Sequence, residues 1–422
     1  MRRISRLATV VLIALSVASC SHTAPVTVAL TGPASPHQKP LQGPDWPRYR
    51  GLNNDGVSAQ KGINKSWNQR PPTLLWQQPL TDDGYAGFAV AGGRVYIVDH
   101  SGSNDIVRAF DLAGGQEAWR YAYPDASGSK YGFSRSTPTI DGNRVYTYSR
   151  LGQLTCLADN SGQLVWQKDV ISLFNGHRPG WDMASSPLID GEKVIVYAGG
   201  DNAAVVALNK TSGETIWAGG GSDKPGYSSP VSATIDGIKQ YVCFLGTTLT
   251  GVDAASGKLL WSYPWKTGSD VNAANPLVSG DSVFITSGYG HGCALITVTA
   301  GTPQLCWQNK EMMAHFSSPI FVGGYIYGTG NPGRLMCLDP KTGNALWTQD
   351  GFEKGAIIGV DGAIVGFDGS TGELVMAAMS PTSYQELGRF TPLGGQSWTS
   401  PVVACGRLIV RNKTTLACFD AM

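Results

Sequence analysis

One phrase recurs along this chain and constrains it more than any other feature. Its plainest copy is Cys337-Leu-Asp-Pro-Lys-Thr-Gly-Asn-Ala-Leu-Trp347. It reads as the end of one strand, a tight turn over Asp339 to Gly343, and a new strand closing on a tryptophan. The aspartate can accept hydrogen bonds from turn amides, and the glycine can take the positive φ that other residues avoid. The tryptophan presents a large apolar surface that a neighbour must cover. A second clear copy is Asp253-Ala-Ala-Ser-Gly-Lys-Leu-Leu-Trp261, and Trp119, Trp166, Trp217 and Trp307 close others.

These closing tryptophans stand 40 to 51 residues apart. Ahead of them lie short apolar strands opened by Thr137-Pro138, Ser186-Pro187, Ser229-Pro230, Asn275-Pro276 and Ser318-Pro319, with Ser400-Pro401 opening one more. Hairpin dipeptides follow, such as Asp141-Gly142, Asp190-Gly191 and Asp236-Gly237. Four strands in each repeat of this length is the pattern of a propeller blade. A lone blade leaves both sheet faces bare, whereas a ring of blades buries them. At ~25 cal/mol per Å² of apolar surface, each tryptophan buried between blades contributes a few kcal/mol.

Two departures from the repeat are informative. After Trp347 the next copy lacks a tryptophan. There Gln385-Glu-Leu-Gly-Arg-Phe390 reads as the fourth strand, with Phe390 in the tryptophan position. The last copy, Ser400 to Met422, holds only three strands, and Leu74-Leu75-Trp76 reads as the missing fourth. Closing positions at 76, 119, 166, 217, 261, 307, 347 and 390 make eight blades. The sequence therefore predicts an all-β chain: a single eight-bladed β-propeller over residues 45–422. Its four-stranded antiparallel blades form a ring closed by an N-terminal strand that completes the last blade.

The start of the chain reads as a targeting segment. Arg2, Arg3 and Arg6 precede an apolar run from Leu7 to Val17, of signal-peptide length and short for a bilayer span. Val17-Ala18-Ser19-Cys20 resembles a bacterial lipobox, which makes residues 1–20 a lipoprotein signal and Cys20 the lipidation site. Ser21 follows where an inner-membrane retention signal would carry aspartate. The expected location is the cell envelope, with the outer membrane facing the periplasm favoured where the organism has one. Residues 21–44, rich in Pro, Thr, Ala and Ser, read as a flexible tether.

Seven further cysteines remain: Cys156, Cys243, Cys293, Cys306, Cys337, Cys405 and Cys418. Cys293/Cys306 and Cys405/Cys418 share one separation and are the candidate disulfides in an exported chain. No CxxC or CxxCH occurs, so zinc ribbons and covalent haem are not indicated. A net charge of +1, with no long basic run, gives no reason to expect nucleic acid. The histidines show no paired metal spacing, and neither a phosphate-binding GxxxxGK[ST] loop nor a GxSxG elbow is present.

The repeats resemble the PQQ-type propeller repeat of quinoprotein dehydrogenases and of the BamB-like outer-membrane lipoproteins. The lead-in Trp46-Pro-Arg-Tyr-Arg-Gly-Leu-Asn-Asn-Asp-Gly-Val57 is similar to that of bacterial PQQ-like propellers. The resemblance covers residues 45–422 and implies fold more than function. It implies that the first strand of each blade lines a central channel, with the residues just before it at one mouth. Those positions hold Phe133, Arg135, Trp181, Asp182, Tyr227 and Asn272, then Asn275, His315, Phe316 and Trp398. Aromatic anchors with a few polar groups suit a ligand-binding mouth. The dehydrogenases of this family resemble one another in an adjacent cysteine pair and a Glu/Asn/Asp calcium set. This chain has no adjacent cysteines, and that set does not map onto it. The first expectation is a monomeric, lipid-anchored scaffold with no cofactor and no catalytic residues, binding protein partners in the envelope. The alternatives are a dehydrogenase using PQQ and calcium on an alcohol or sugar, and a sensor of small molecules or glycans.

Overall fold

The computed structural model describes residues 27–29, 41–81, 84–126 and 131–422. Cys20 and the signal segment lie outside the described residues, as does most of the tether. Eight antiparallel four-stranded sheets follow one another around a ring, as the sequence predicts. Blade 1 runs through Phe88–Ala91, Arg94–Ser101, Asn104–Asp111 and Glu117–Pro124. Blade 6 runs through Ile320–Val322, Tyr325–Gly330, Arg334–Leu338 and Ala345–Asp350. In blade 8, Leu74–Pro79 pairs with Thr415–Asp420, so the strand that precedes blade 1 completes the last sheet. The backbone of Thr27–Ala29 adds a further antiparallel strand to the outer edge of blade 1.

At most junctions the recurring phrase docks one blade onto the next. Trp119 of blade 1 donates its Nε1–H to Asp159 O in blade 2, and Trp166 donates to Lys210 O in blade 3. Trp307 donates to Pro340 O in blade 6, and Trp76 crosses the closure seam to Leu112 O in blade 1. The turn glycine lies flat under the incoming indole. A Cβ on Gly162 would stand 2.4 Å from Trp119, and one on Gly115 would stand 2.6 Å from Trp76. Glycine is thus required twice, for the left-handed turn and for the ring above it. The seam lies inside a continuous core that joins blades 1, 7 and 8.

Blade 7 corrects the expected register. In blade 6 Cys337 faces Trp347 just before a bulge, and in blade 7 Met376 faces Gly388 at the same place. Gly388, not Phe390, occupies the tryptophan position. Phe390 lies two residues further along, on the same face of the strand. It packs edge-on against Phe419 of blade 8, with ring centroids 5.5 Å apart. The indole comes instead from the lead-in: Trp67 is buried and meets Phe390 edge-on at 5.1 Å.

The disulfide expectation is also corrected, because all seven described cysteines are free. Cys293 is buried opposite Asn309 and donates to its side chain, whereas Cys306 is exposed beside Thr297. Cys405 sits in a hairpin turn with its Sγ toward Pro44 O, and Cys418 faces Ile409. Burial pushes the Cys156, Cys243 and Cys293 thiols up to about 12.

Candidate functional site

The lead-in segment crosses the ring. Trp46 bridges Val90 of blade 1, and Pro47 O accepts from Ile140 N of blade 2. Tyr49 and Arg50 reach Ser318 and Pro319 at the start of blade 6. Val57 and Ser58 then run parallel to the first strand of blade 7, and the Ser58 hydroxyl donates to Val403 O of blade 8. A segment that touches inner strands on opposite sides of the ring must lie across its axis. It closes the channel at the end away from the expected mouth. A funnel of about 410 Å³ remains, with Trp46, Tyr49, Arg50 and Gly56 as its floor.

Arg135, Trp181, Tyr227, His315, Phe316 and Trp398, all singled out in the sequence, line this funnel. Their rings form a nearly continuous rim. Tyr85 stacks on Trp398 at 4.9 Å, and Trp398 meets Phe316 at 5.1 Å. Tyr289 lies 4.3 Å from His315, and across the mouth Trp181 lies between Tyr131 and Tyr227. Lys354 Nζ sits 5.2 Å over the Trp398 ring, a cation–π contact. Burial and the nearby Lys354 charge lower the His315 pKa. Burial likewise pulls the Arg135 and Arg50 guanidinium groups below their ordinary value.

The other four candidates are placed elsewhere. Phe133 stacks on His100 with centroids 3.7 Å apart. Asp182 is held by Arg150 at 3.1 Å and Arg178 at 2.7 Å. Asn272 is fully buried, and its amide donates to Leu245 O and Gly246 O. Asn275 belongs to a hydrogen-bond relay around the channel that the Ser-Pro openings create. Thr137 N donates to Ser186 Oγ, Ser186 N to Ser229 Oγ, Ser229 N to Asn275 Oδ1, and Asn275 N to Ser318 Oγ. Each residue before a proline is held extended, so its N–H points sideways to the next blade. Asn275 stands in for serine there.

The floor residues and the rim residues Tyr85, Tyr131, Tyr289 and Lys354 were not among the sequence candidates. Tyr85 and Lys354 come shortly before first strands, the signal that selected Trp398, and applying it to every blade would have found them. Beneath the rim lies a buried charged network. His100 Nδ1 lies 2.9 Å from Asp105, and Arg150 forks onto Asp125 at 2.6 and 3.0 Å. The atoms of His100, Asp105 and Asp125 lie within 4.8 Å of one another. Asp125 is nevertheless already neutralised by the Arg150 fork.

The fold and its floored funnel define an eight-bladed propeller of the PQQ-repeat type. A family model described as "Outer membrane protein assembly factor BamB" matches residues 103–349, and the chain belongs to that family. A relative with that same description from Moranella endobia is 24% identical over 301 residues. That alignment takes in 67% of this chain and 63% of the relative's length, so the chain spans less than two thirds of it. The crystal structure of BamB from Moraxella catarrhalis shares the fold with a TM-score of 0.59 at 17% identity, over 83% of this chain and 99% of that one. A europium-containing methanol dehydrogenase gives 0.67 at 14% identity, over 87% and 89%.

The likeness to the methanol dehydrogenase is one of fold; the resemblance of the repeats to quinoprotein dehydrogenases is what would imply PQQ and calcium in the funnel. Calcium takes roughly six to eight oxygen ligands, carboxylates prominent among them. Among the described residues no aspartate or glutamate lines the funnel. Its charged groups are Arg50, Arg135 and Lys354. The donor set does not fit calcium.

Proposed function

We propose that this chain is a lipid-anchored, envelope-facing propeller that holds protein partners during outer-membrane protein assembly. The observation that carries this reading is the funnel lining. It offers aromatic rings, small polar groups and cations, and among the described residues no carboxylate lines it. Such a surface is suited to recognition. The family supports the same reading, since its description is that of an assembly factor. Cys20 would carry the anchor, and several acyl chains hold a protein stably where one would not.

Crosslinking in intact envelopes, followed by mass spectrometry, tests the reading. One dominant membrane-assembly partner is expected, and recovery of none would overturn it. A Cys20→Ala variant should move from the membrane to the soluble fraction, and retention in the membrane would refute the anchor. A second reading, an alcohol or sugar dehydrogenase, draws on the methanol dehydrogenase fold. Dye reduction by the purified protein with PQQ and Ca²⁺, saturating in an alcohol, would establish it.

A further inference from the structure

We propose that the outer edge of blade 1 is a strand-docking surface whose occupant is the chain's own Thr27–Ala29, and that this pairing straps the propeller to the membrane through blade 1. The inference rests on the reading of Cys20 as the lipid anchor and adds what holds the ring close to the bilayer.

The pairing is specific in register. Thr27, Val28 and Ala29 stand opposite Tyr121, Arg120 and Trp119 in an antiparallel ladder. Among the described residues no other blade carries an added strand on its outer edge, since the extra strand of blade 7 runs along its inner side. The receiving strand, Glu117–Pro124, has 8 residues. The outer strands of blades 2, 4, 6 and 8 have 6, and those of blades 3 and 7 have 5. An outer strand ends its sheet in a row of unpaired N–H and C=O groups, and an extended segment laid alongside satisfies them.

Burial marks the same edge. Trp119 is 0% exposed, whereas Trp166 and Trp217 at the same place in blades 2 and 3 keep 8%. Leu164, Ile216 and Leu305 leave large apolar side chains exposed on the outer strands of blades 2, 3 and 5. In blade 1 only Pro124, at the end of the strand, is exposed. Edges are commonly guarded by charges that keep other strands away. Here the Arg120 guanidinium instead forks onto Glu117 of its own strand at 2.7 and 2.6 Å.

The lead segment meets the propeller a second time. Gln42 N donates to Cys405 O, Cys405 N donates to Pro44 O, and Leu41 packs against the core. Reach follows from where the chain is first held. Held only at Pro44, the ring can lie up to ~80 Å from Cys20, at ~3.4 Å per residue. Held at Thr27, it can lie no more than ~24 Å away. The added strand therefore turns a long leash into a short one, and it keeps the outer edge of blade 1 close to the bilayer surface.

The test uses the full-length lipidated protein in vesicles of phosphatidylethanolamine and phosphatidylglycerol, with the exposed Cys306 replaced by serine. Val28→Cys with Arg120→Cys should close a disulfide within one chain under mild oxidation. Directly opposed positions of an antiparallel pair stand about 4.5–5.5 Å apart at Cα, inside the range a disulfide spans. Replacing Arg120 leaves Glu117 bound to Arg108 at 2.7 Å. Val28→Cys with Thr348→Cys, the corresponding place on blade 6, should not close. A second variant, Val28→Pro with Ala29→Pro, breaks the ladder without touching a blade. Successive N–H groups point to opposite sides, so one of the two prolines removes a donor that faces blade 1. Energy transfer from a dye on Ser103→Cys, exposed in blade 1, to acceptor lipids should then fall, because the allowed distance grows about threefold. No bond between positions 28 and 120, or equal closure on blade 6, would overturn the strap. So would a bond that joins two copies, read as a dimer on a non-reducing gel, or energy transfer untouched by the prolines. Cys20→Ala protein should still close the bond between positions 28 and 120, so the anchor and the strap fail separately.

Discussion

Trp67 lies on Gly388: a Cβ added to Gly388 would stand 2.6 Å from Trp67 Cβ. The seventh blade lacks the tryptophan of its repeat, and a residue far upstream supplies the indole. Trp67→Ala should therefore behave like the loss of a core tryptophan, destabilising by about 3–5 kcal/mol. Gly388→Trp restores the repeat's own residue and should also destabilise, because the space is already filled. Urea unfolding of both variants measures this. A stabilising Gly388→Trp would show that Trp67 is not the substitute.

Gly343 and Gly301 separate the two demands on a turn glycine. Both have left-handed backbones, with φ of 74° and 70°. A Cβ on Gly343 would stand 2.5 Å from Trp307, while one on Gly301 would meet nothing within 4 Å. Gly301→Ala should cost only the backbone term, about 1 kcal/mol. Gly343→Ala should cost about 1–3 kcal/mol more, through displacement of the docked indole. Equal losses in urea unfolding would mean that the tryptophan contact between blades carries little.

The ring was legible because its information is local. Asp339, Gly343 and Trp347 fall within a few residues of one another, and their repetition sets the blade count. Trp76 was legible as a strand without a sheet. The register of blade 7 was not legible. Gly388 and Phe390 share a strand face, and only the bulge beside Met376 tells them apart. Trp67 was hidden for a different reason, since nothing local links it to a strand so far along the chain. At the mouth, Trp398 and Trp181 were found because aromatic residues ahead of a first strand have little else to do. Asn272 and Asn275 carried the same positional signal but serve the backbone. The floor could not be read at all, because it depends on the lead-in threading the ring.

His100 makes stability depend on pH. Its Nδ1 lies 2.9 Å from Asp105 Oδ1 and its Nε2 lies 3.0 Å from Gly102 O, so both ring nitrogens face acceptors. The doubly protonated ring satisfies both. Burial lowers its pKa, yet the Asp105 hydrogen bond and charge, with help from Gly102 and Asp125, raise it on balance above 6.5. Ser134 and Tyr123 bond Asp105 as well, and Phe133 covers the ring face with Arg150 on its other contacts. A raised folded pKa stabilises fully below the unfolded value and loses that contribution as pH rises through the folded one. The unfolding midpoint should therefore fall as pH climbs above 6.5. In His100→Gln that slope should flatten. An unchanged slope would place the titration elsewhere.

Asn275 tests whether the relay of Ser-Pro openings is structural. Its Oδ1 accepts Ser229 N at 2.8 Å, its own N–H continues to Ser318, and its amide nitrogen is buried without a partner. Asn275→Ser restores the residue used at neighbouring blades and removes that unsatisfied nitrogen. It should change stability by less than about 1 kcal/mol, since the acceptor is retained. Asn275→Ala strands the buried Ser229 N–H and should cost about 1–3 kcal/mol. Urea unfolding of both variants measures this, and equal midpoints for the serine and alanine variants would show that Ser229 N does not depend on this acceptor. The burial of Asn275 between Ser229 and Ser318 predicts a midpoint lowered by alanine alone.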